Sequence, residues 1–549
     1  MSTTVAEVVG ATLFGRGVRQ AFGVVGSGNF HVTNALIASG ARYVAARHEM
    51  GATVMADAYA RMSDAVGVVT LHQGCGLTNA MTGLAEAAKS RTPLLVLAAE
   101  ATNPASNFYV DQPALARAVG AESIRVDDPA RAALQAVAAY DLAARERRTV
   151  LVNLPLEIQS LAVPADAADA NGVQPVPAAP PSAREGAAAL VRVLAGAQRP
   201  VFVAGRGARH ARTELEKAAE AYGALLATSA VAKGLFHGNP WSLDVSGGFA
   251  TPLAAEIIRD ADVIVGFGCA LNMWTMRHGR LIGPAATVAQ VDIDPGALGR
   301  HRDIDIGVIG DSAEVAGAVT DAADAAGQGY RSAEIASRIR HEGWWRDVPY
   351  EDWGCGVGDS ARLDPRTLTI GLDDLLPSNR IVSVDSGNFM GYPSMFLSVP
   401  DEFGFCFTQA FQSIGLGLST AIGAALARPD RLPVAALGDG GALMGIAELE
   451  TVRRLGLPMV VVVYNDAAYG AEVHHFSGAE SLDTVTFPDT DLAAIARGFD
   501  FDGVTVRCVD DLDQVSTWLN GPRDRPLLID AKVAGRHGSW WLEEAFRGH

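Results

Sequence analysis

GDGGALMGIAELETVRRLGLPMVVVVYNDAAYG, residues 438–470, decides how this chain folds. The glycine-rich turn follows an apolar run, Val434 to Leu437, and Asn465 follows a second run, Met459 to Tyr464. Two strand-length apolar runs separated by a helix-length stretch read as strand–helix–strand with parallel neighbours, because only such a crossover joins parallel strands. The turn then lies just past one strand and before a helix, where backbone N–H groups favour a phosphate. Its glycines let the backbone approach closely. Asp439 and Asn465 would sit together at the ends of adjacent strands and share one ion. Magnesium takes oxygen ligands, one or two from protein and the rest from phosphate and water. A backbone carbonyl at Ala467 is the further candidate ligand. A lone Gly438-Asp439-Gly440 would be an ordinary tight turn; Asn465, after 24 intervening residues, makes it a candidate metal–diphosphate site.

The same alternation runs outward through most of the chain. Val66 to Leu71, Leu94 to Ala99, Thr149 to Leu154, Pro200 to Ala204, Val263 to Phe267 and Ile381 to Val384 are further strand-length runs. They predict α/β domains with mainly parallel sheets. Val163 to Glu185, rich in Ala and Pro, reads as a linker, and Gly327 to Pro365 as a second connection with its own helix. Three doubly wound domains result, at 1–165, 186–325 and 360–549. The first and third share their spacing: Gly76 to Pro93 is 93 − 76 = 17, and Gly441 to Pro458 is 458 − 441 = 17. Gly51 to Gly76 is 76 − 51 = 25, and Gly415 to Gly441 is 441 − 415 = 26. The spacing predicts helices opening at Gly51 and Gly415 and a duplication relating the two domains. Shared strand–helix–strand lengths are the plainer alternative.

Bulk properties narrow the class. The 549 residues are 49% apolar and 19% charged, with formal net charge -18, which suits a globular protein and argues against nucleic acid. No apolar run approaches the ~18 residues that span a bilayer. No signal peptide is read at the N-terminus. The five cysteines (Cys75, Cys269, Cys355, Cys406, Cys508) are scattered and form no CxxC pair, so a cytoplasmic location is expected.

With these residues in hand, the 438–470 stretch resembles the thiamine-diphosphate (ThDP) motif of the acetolactate synthase, pyruvate decarboxylase and benzoylformate decarboxylase superfamily. The resemblance covers nearly the whole chain. It implies a pyrimidine-binding, a central and a diphosphate-binding domain, in that order, with ThDP and Mg²⁺ as cofactors. It also implies a homodimer or homotetramer with active sites at the interface. RHEMGATVMADAYAR looks like the family's catalytic-glutamate segment, which puts Glu49 at the cofactor's aminopyrimidine N1′. An acidic residue opposing a helix dipole is the plainer alternative for Glu49. FQSIGLGLSTAIG matches the stretch before the diphosphate motif, so Ile414 would support the bend of the cofactor; a core isoleucine is its alternative. Gly438, Asp439, Gly440, Gly441 and Asn465 would complete the cofactor site.

LHQGCGLTNAMTG and FGVVGSGN resemble benzoylformate decarboxylase segments, placing His72 and Ser27 at that family's active-site histidine and serine. A strand-end histidine and a turn serine are the alternatives. Several positions depart from named members. Thr275 stands where a second histidine is expected, with His278 three residues later. Asn107-Phe108-Tyr109 replaces a Phe-Gln-Glu segment, leaving Gln112 as the nearby glutamine. Glu472, His474 and His475 follow the metal motif without the tryptophan of biosynthetic synthases. Gly205 and Gly207 form a weak phosphate turn, and the flavin segment is missing from Cys269 to Arg280, so no functional FAD is expected.

The leading expectation is an acetolactate-synthase-like enzyme that decarboxylates a 2-oxo acid and transfers the carbanion-enamine to an acceptor carbonyl. Alternatives are a non-ligating 2-oxo acid decarboxylase or an acyloin lyase. A nucleotide-binding oxidoreductase, or an inactive homologue serving as a binding subunit, would belong to a different class.

Overall fold

A computed structural model of the chain describes residues 3–164, 167, 183–323, 329–478 and 481–545. Most of the expected linker Val163 to Glu185 lies outside these residues. Within the second connection, Ala333–Glu342 is a helix, as expected.

Three six-stranded parallel sheets organise the molecule. The first contains β1 (Gln20–Gly23), β2 (Arg42–Ala45), β3 (Gly67–Leu71), β4 (Leu94–Glu100), β5 (Glu122–Arg125) and β6 (Thr149–Pro155). The second contains β7 (Pro200–Ala204), β8 (Leu225–Thr228), β9 (Ser242–Val245), β10 (Val263–Phe267), β11 (Thr287–Asp292) and β12 (Ile306–Ile309). The third contains β13 (Arg380–Val384), β14 (Phe405–Phe407), β15 (Leu432–Gly438), β16 (Val460–Asn465), β17 (Asp502–Val506) and β18 (Leu527–Lys532). The inner strands β3, β4, β7, β10 and β16 are buried along their whole length, which is why they read as unbroken apolar runs.

Strand order separates the sheets into two kinds. The first runs β2-β1-β3-β4-β6-β5 and the third β14-β13-β15-β16-β18-β17, the same order shifted by twelve strands. This agrees with the duplication expected from the glycine spacings. The middle sheet runs β12-β11-β10-β7-β8-β9, the order of a dinucleotide fold read from its far edge.

The related helices of the outer domains pack on each other. α1 (Glu49–Ser63) lies against α4 (Gly417–Ala427), with α2 (Cys75–Asn79) and α3 (Met81–Lys89) in the first domain. α5 (Asp439–Met444), α6 (Glu448–Arg454) and α7 (Gly470–His475) follow in the third. A Cβ at Gly423 would collide with the backbone of Met55, so the helix axes come together only because this position lacks a side chain. Both helices start two residues from the expected glycines. α1 begins at Glu49 because the His48 imidazole accepts the Met50 N–H at 3.1 Å and caps it there. α4 begins at Gly417 because Gly415 holds a left-handed φ of 86° and gives its N–H to Asp385 at 2.9 Å. Among the described residues no helix is long and apolar enough to cross a membrane, and all five cysteines are free.

Candidate active site

Parallel pairing of β15 with β16 sets Gly438 opposite Tyr464, so Asp439 and Asn465 stand at neighbouring strand ends. Asp439 is the first residue of α5 and is buried. Burial raises its pKa to about 6, and it hydrogen-bonds the carboxyl of Asp466. Asp466 is pushed well above the usual range by burial and by the Asp439 charge, so burial and mutual repulsion hold both carboxyls above the ordinary carboxylate range. The sequence reading missed Asp466, although it directly follows Asn465.

Asn465 ends β16, with its Nδ2 donating to the buried Asp530 Oδ1 at 2.8 Å and its Oδ1 accepting the Ala467 N–H at 3.2 Å. Ala467 holds a left-handed φ of 58°, and its carbonyl accepts the Phe487 N–H at 2.8 Å, leaving one lone pair. Among the described residues no three His, Cys, Asp or Glu side chains gather to hold a metal. The donors here are one paired carboxylate, an amide oxygen and a carbonyl, a hard-oxygen set that needs further oxygens from water and phosphate. Gly440 and Gly441 allow the Tyr469 ring and the Asp385 carboxylate to close in, since a Cβ at either position would collide with them. These residues fit a magnesium–diphosphate group on geometry and on charge, because a divalent cation relieves the crowded carboxylates.

Ile414 is half-buried rather than part of the core. The backbone just after it is held by the fully buried Asp385, which accepts N–H groups of Gly415 at 2.9 Å and Leu416 at 3.2 Å. Burial pushes the Asp385 carboxyl up to about 6 despite these bonds.

In the first domain, Glu49 is half-buried at the start of α1, and Asn79 Nδ2 donates to its Oε2 at 3.0 Å. Gly76 lies between Glu49 and His72: a Cβ there would be 3.7 Å from Glu49 Oε1 and 3.0 Å from His72 Cβ. His72 follows β3, and its Nδ1 is 2.9 Å from the Gln73 carbonyl, which assigns the proton to Nδ1. Nε2 is then free to accept from Ser27 Oγ, 3.4 Å away. Phe108 sets its ring edge to the imidazole, 5.2 Å between centroids. The structure therefore brings Ser27 and His72 together beside Glu49, and adds Asn79 and Phe108, which sequence reasoning had not singled out for the site. Among the described residues no hydrogen bond or ion pair joins this group to Asp439, Asn465 or Ile414 within one chain.

The remaining candidates separate. Gln112 is buried, accepts the Gly74 N–H at 3.3 Å and donates to Asn153 at 2.9 Å, so it shapes the turn before α2. His474, on α7, packs against Gly538, and burial lowers its pKa. His475 meets the exposed Phe476 edge-on, and Glu472 is half-buried on the same helix. Thr275 is buried in the central domain with its hydroxyl on Asn272, and His278 holds a left-handed φ of 54°. Gly205 and Gly207 pack against the Gly268 backbone, so these glycines bring the ends of β7 and β10 together. Between them, Arg206 reaches out to the carbonyls of Ser90 and Arg91.

Family models cover most of the chain. The thiamine pyrophosphate enzyme N-terminal TPP binding domain matches residues 3–119, the central domain 187–319 and the C-terminal TPP binding domain 385–531. A probable acetolactate synthase large subunit of Methanocaldococcus jannaschii is 26% identical, over 85% of this chain and 80% of that protein. A sulfoacetaldehyde acetyltransferase of Alcaligenes xylosoxydans xylosoxydans is 27% identical, over 93% and 89%. A probable 2-ketoarginine decarboxylase of Pseudomonas aeruginosa is 28% identical, over 93% and 90%.

Proposed function

The chain belongs to the thiamine pyrophosphate enzyme family, and from that premise we propose that it decarboxylates a 2-oxo acid and passes the resulting carbanion equivalent to an acceptor carbonyl, as an acetolactate synthase does. The pairing of Gly438 with Tyr464, which sets Asp439 and Asn465 at adjoining strand ends, carries this reading. Bound ThDP supplies a nucleophilic carbon and an electron sink for the carbanion left by CO₂. The protein supplies position and proton control. Asp439, Asn465 and the Ala467 carbonyl hold Mg²⁺, and Gly438, Gly440 and Gly441 admit the diphosphate. Ile414, whose following backbone is held by Asp385, would offer the cofactor an apolar support. Glu49, oriented by Asn79, holds a proton at the pyrimidine N1′. His72 and Ser27 face the substrate, where His72 Nε2 moves a proton and the serine hydroxyl holds a carboxylate.

The pyrimidine-binding, central and diphosphate-binding domains span 1–165, 186–325 and 360–549 in this reading. The enzyme works as a homodimer or homotetramer, which would cover the half-exposed Glu49 and Ile414. Free cysteines suit a cytoplasmic setting.

One observation favours a second outcome. The Ser27–His72 hydrogen bond puts a pair that can relay a proton beside Glu49, which suits simple decarboxylation to an aldehyde. Purified protein with ThDP, Mg²⁺ and a panel of 2-oxo acids, with and without aldehyde or 2-oxo acid acceptors, separates the two. Glu49-dependent CO₂ release with a ligated product supports the synthase, and an aldehyde supports the decarboxylase. No CO₂ from any acid, with ThDP bound, overturns both and leaves acyloin cleavage.

A further inference from the structure

Two buried glutamates lie outside the groups assigned above, and they make the same contact in opposite directions. Glu448, at the start of α6 in the third domain, reaches the turn between β2 and α1 in the first. Its Oε1 accepts the N–H groups of Arg47 at 2.9 Å and His48 at 3.1 Å, the two residues that precede Glu49. Its Oε2 accepts the Thr451 hydroxyl at 2.6 Å. Gly51 makes room for it, because a Cβ there would be 2.7 Å from Glu448 Oε1. The same turn is gripped at its rim, where Arg47 pairs with Glu450 at 2.6 Å and Arg454 reaches the Ala45 carbonyl.

Glu86, on α3 of the first domain, reaches the third. Its Oε1 accepts the Ala410 N–H at 3.0 Å and its Oε2 the Phe411 N–H at 2.6 Å, in the segment that leads to Ile414. Arg61 of α1 donates to the same carboxylate at 2.8 Å and to Asp57 at 2.7 Å. Glu86 is fully buried and Glu448 nearly so. A buried carboxylate is costly unless its acceptor sites are filled, so both are committed to these bonds.

We propose that Glu448 and Glu86 form a reciprocal clamp of positioning residues, in which each duplicated domain holds the backbone that presents the other domain's cofactor-contacting side chain. Glu448 sets where Glu49 points, and Glu86 sets where Ile414 stands. Their carboxylates are taken up by backbone N–H groups, Thr451 and Arg61. The clamp rests on the reading above in which Glu49 serves the pyrimidine. It accounts for acidic residues buried between domains whose helices already pack tightly, since helix packing fixes the axes but not the loops at their ends.

The two glutamates differ in a way that a substitution resolves. At Glu448 a single oxygen takes both N–H groups, so Glu448→Gln keeps the clamp, with the Thr451 hydroxyl turning to accept from the amide. At Glu86 the N–H groups use separate oxygens, so Glu86→Gln must break one. The full-length protein, loaded with ThDP and Mg²⁺, is compared as wild type, Glu49→Gln, Glu448→Ala, Glu448→Gln, Glu86→Gln and Thr451→Val. The readouts are kcat, KM, the ThDP dissociation constant, the near-ultraviolet circular dichroism of the bound aminopyrimidine, and melting temperature.

Glu448→Ala is expected to lower kcat by about tenfold to 100-fold, as displacing a reacting group by an ångström does, with ThDP affinity held by the metal motif. Its dichroism should move toward that of Glu49→Gln. Glu448→Gln should recover most of kcat, and Glu86→Gln should not keep wild-type kcat. If the alanine variant does not fold, Thr451→Val loosens Glu448 without emptying the site, and its lowered kcat at unchanged melting temperature supports the clamp. Wild-type kcat and dichroism in Glu448→Ala, or in Thr451→Val where the alanine variant fails to fold, overturn the clamp. So does a Glu448→Gln variant as impaired as Glu448→Ala, or a Glu86→Gln variant with wild-type kcat. An active Glu49→Gln instead overturns the assignment of Glu49, which separates the two failures.

Discussion

His72 Nε2 lies 3.4 Å from Ser27 Oγ, while His72 Nδ1 lies 2.9 Å from the Gln73 carbonyl, so the imidazole is held with its lone pair toward the serine. A base oriented in this way transfers protons on the substrate side of the site. His72→Ala is expected to lower kcat by about 10²–10⁴-fold, the range for losing a general acid–base group. Ser27→Ala should cost less, mainly in KM. Steady-state kinetics on an accepted 2-oxo acid checks both, and an unchanged kcat in His72→Ala would remove the residue from the mechanism.

Asp439 is the one charged side chain in the proposed magnesium set. Asp439→Ala should weaken Mg²⁺-dependent ThDP binding by roughly 100-fold or more, since metal affinity falls 10–100-fold even when outer-shell partners are lost. Calorimetric titration of ThDP with and without Mg²⁺ measures it. Chelation of the wild type should reproduce the loss, and Asp439→Ala that binds ThDP like the chelator-free wild type would exclude this ion site.

Asp385 gives a pH dependence whose sign is fixed. Burial raises its folded pKa from 3.8 to about 6, so the folded state binds the proton more tightly than the unfolded chain. Its stabilisation is complete below about pH 3.8 and is lost as pH rises through about 6, a total of about 3 kcal/mol. Roughly 1.4 kcal/mol of this falls between about pH 5 and about pH 8. Asp385→Asn removes that slope, so its stability relative to wild type should improve as pH rises across the interval. Denaturant unfolding at the two pH values tests this, and parallel curves would count against it.

Gly423 separates α4 from α1 by no side chain at all. Gly423→Ala would press a methyl into the Met55 backbone, which cannot rotate away, at a cost of about 1–3 kcal/mol. A lowered melting temperature with weaker activity is the expected result. Full stability would mean that the helices slide apart freely.

The parallel α/β architecture was legible because strands such as Val460–Asn465 are buried on both faces and appear as bare apolar runs. The metal motif was legible for a related reason: Asp439 and Asn465 owe their meeting to one strand–helix–strand unit, whose geometry is local. The helix starts at Glu49 and Gly417 were missed by two residues, since a histidine cap and a left-handed glycine set them.

What the chain's order of residues determined by itself was three parallel sheets, the kinship of the outer two and the candidate cofactor contacts. These depend on periodicity and on short spacings, which a sequence displays directly. Only the tertiary structure decided that Ser27 meets His72, that Gln112 serves a turn, and that Glu448 holds the residues before Glu49 across a separation of 400 positions. A buried carboxylate finds its partners through space, and among loops brought together by folding, nothing in the local pattern marks which N–H groups it will accept.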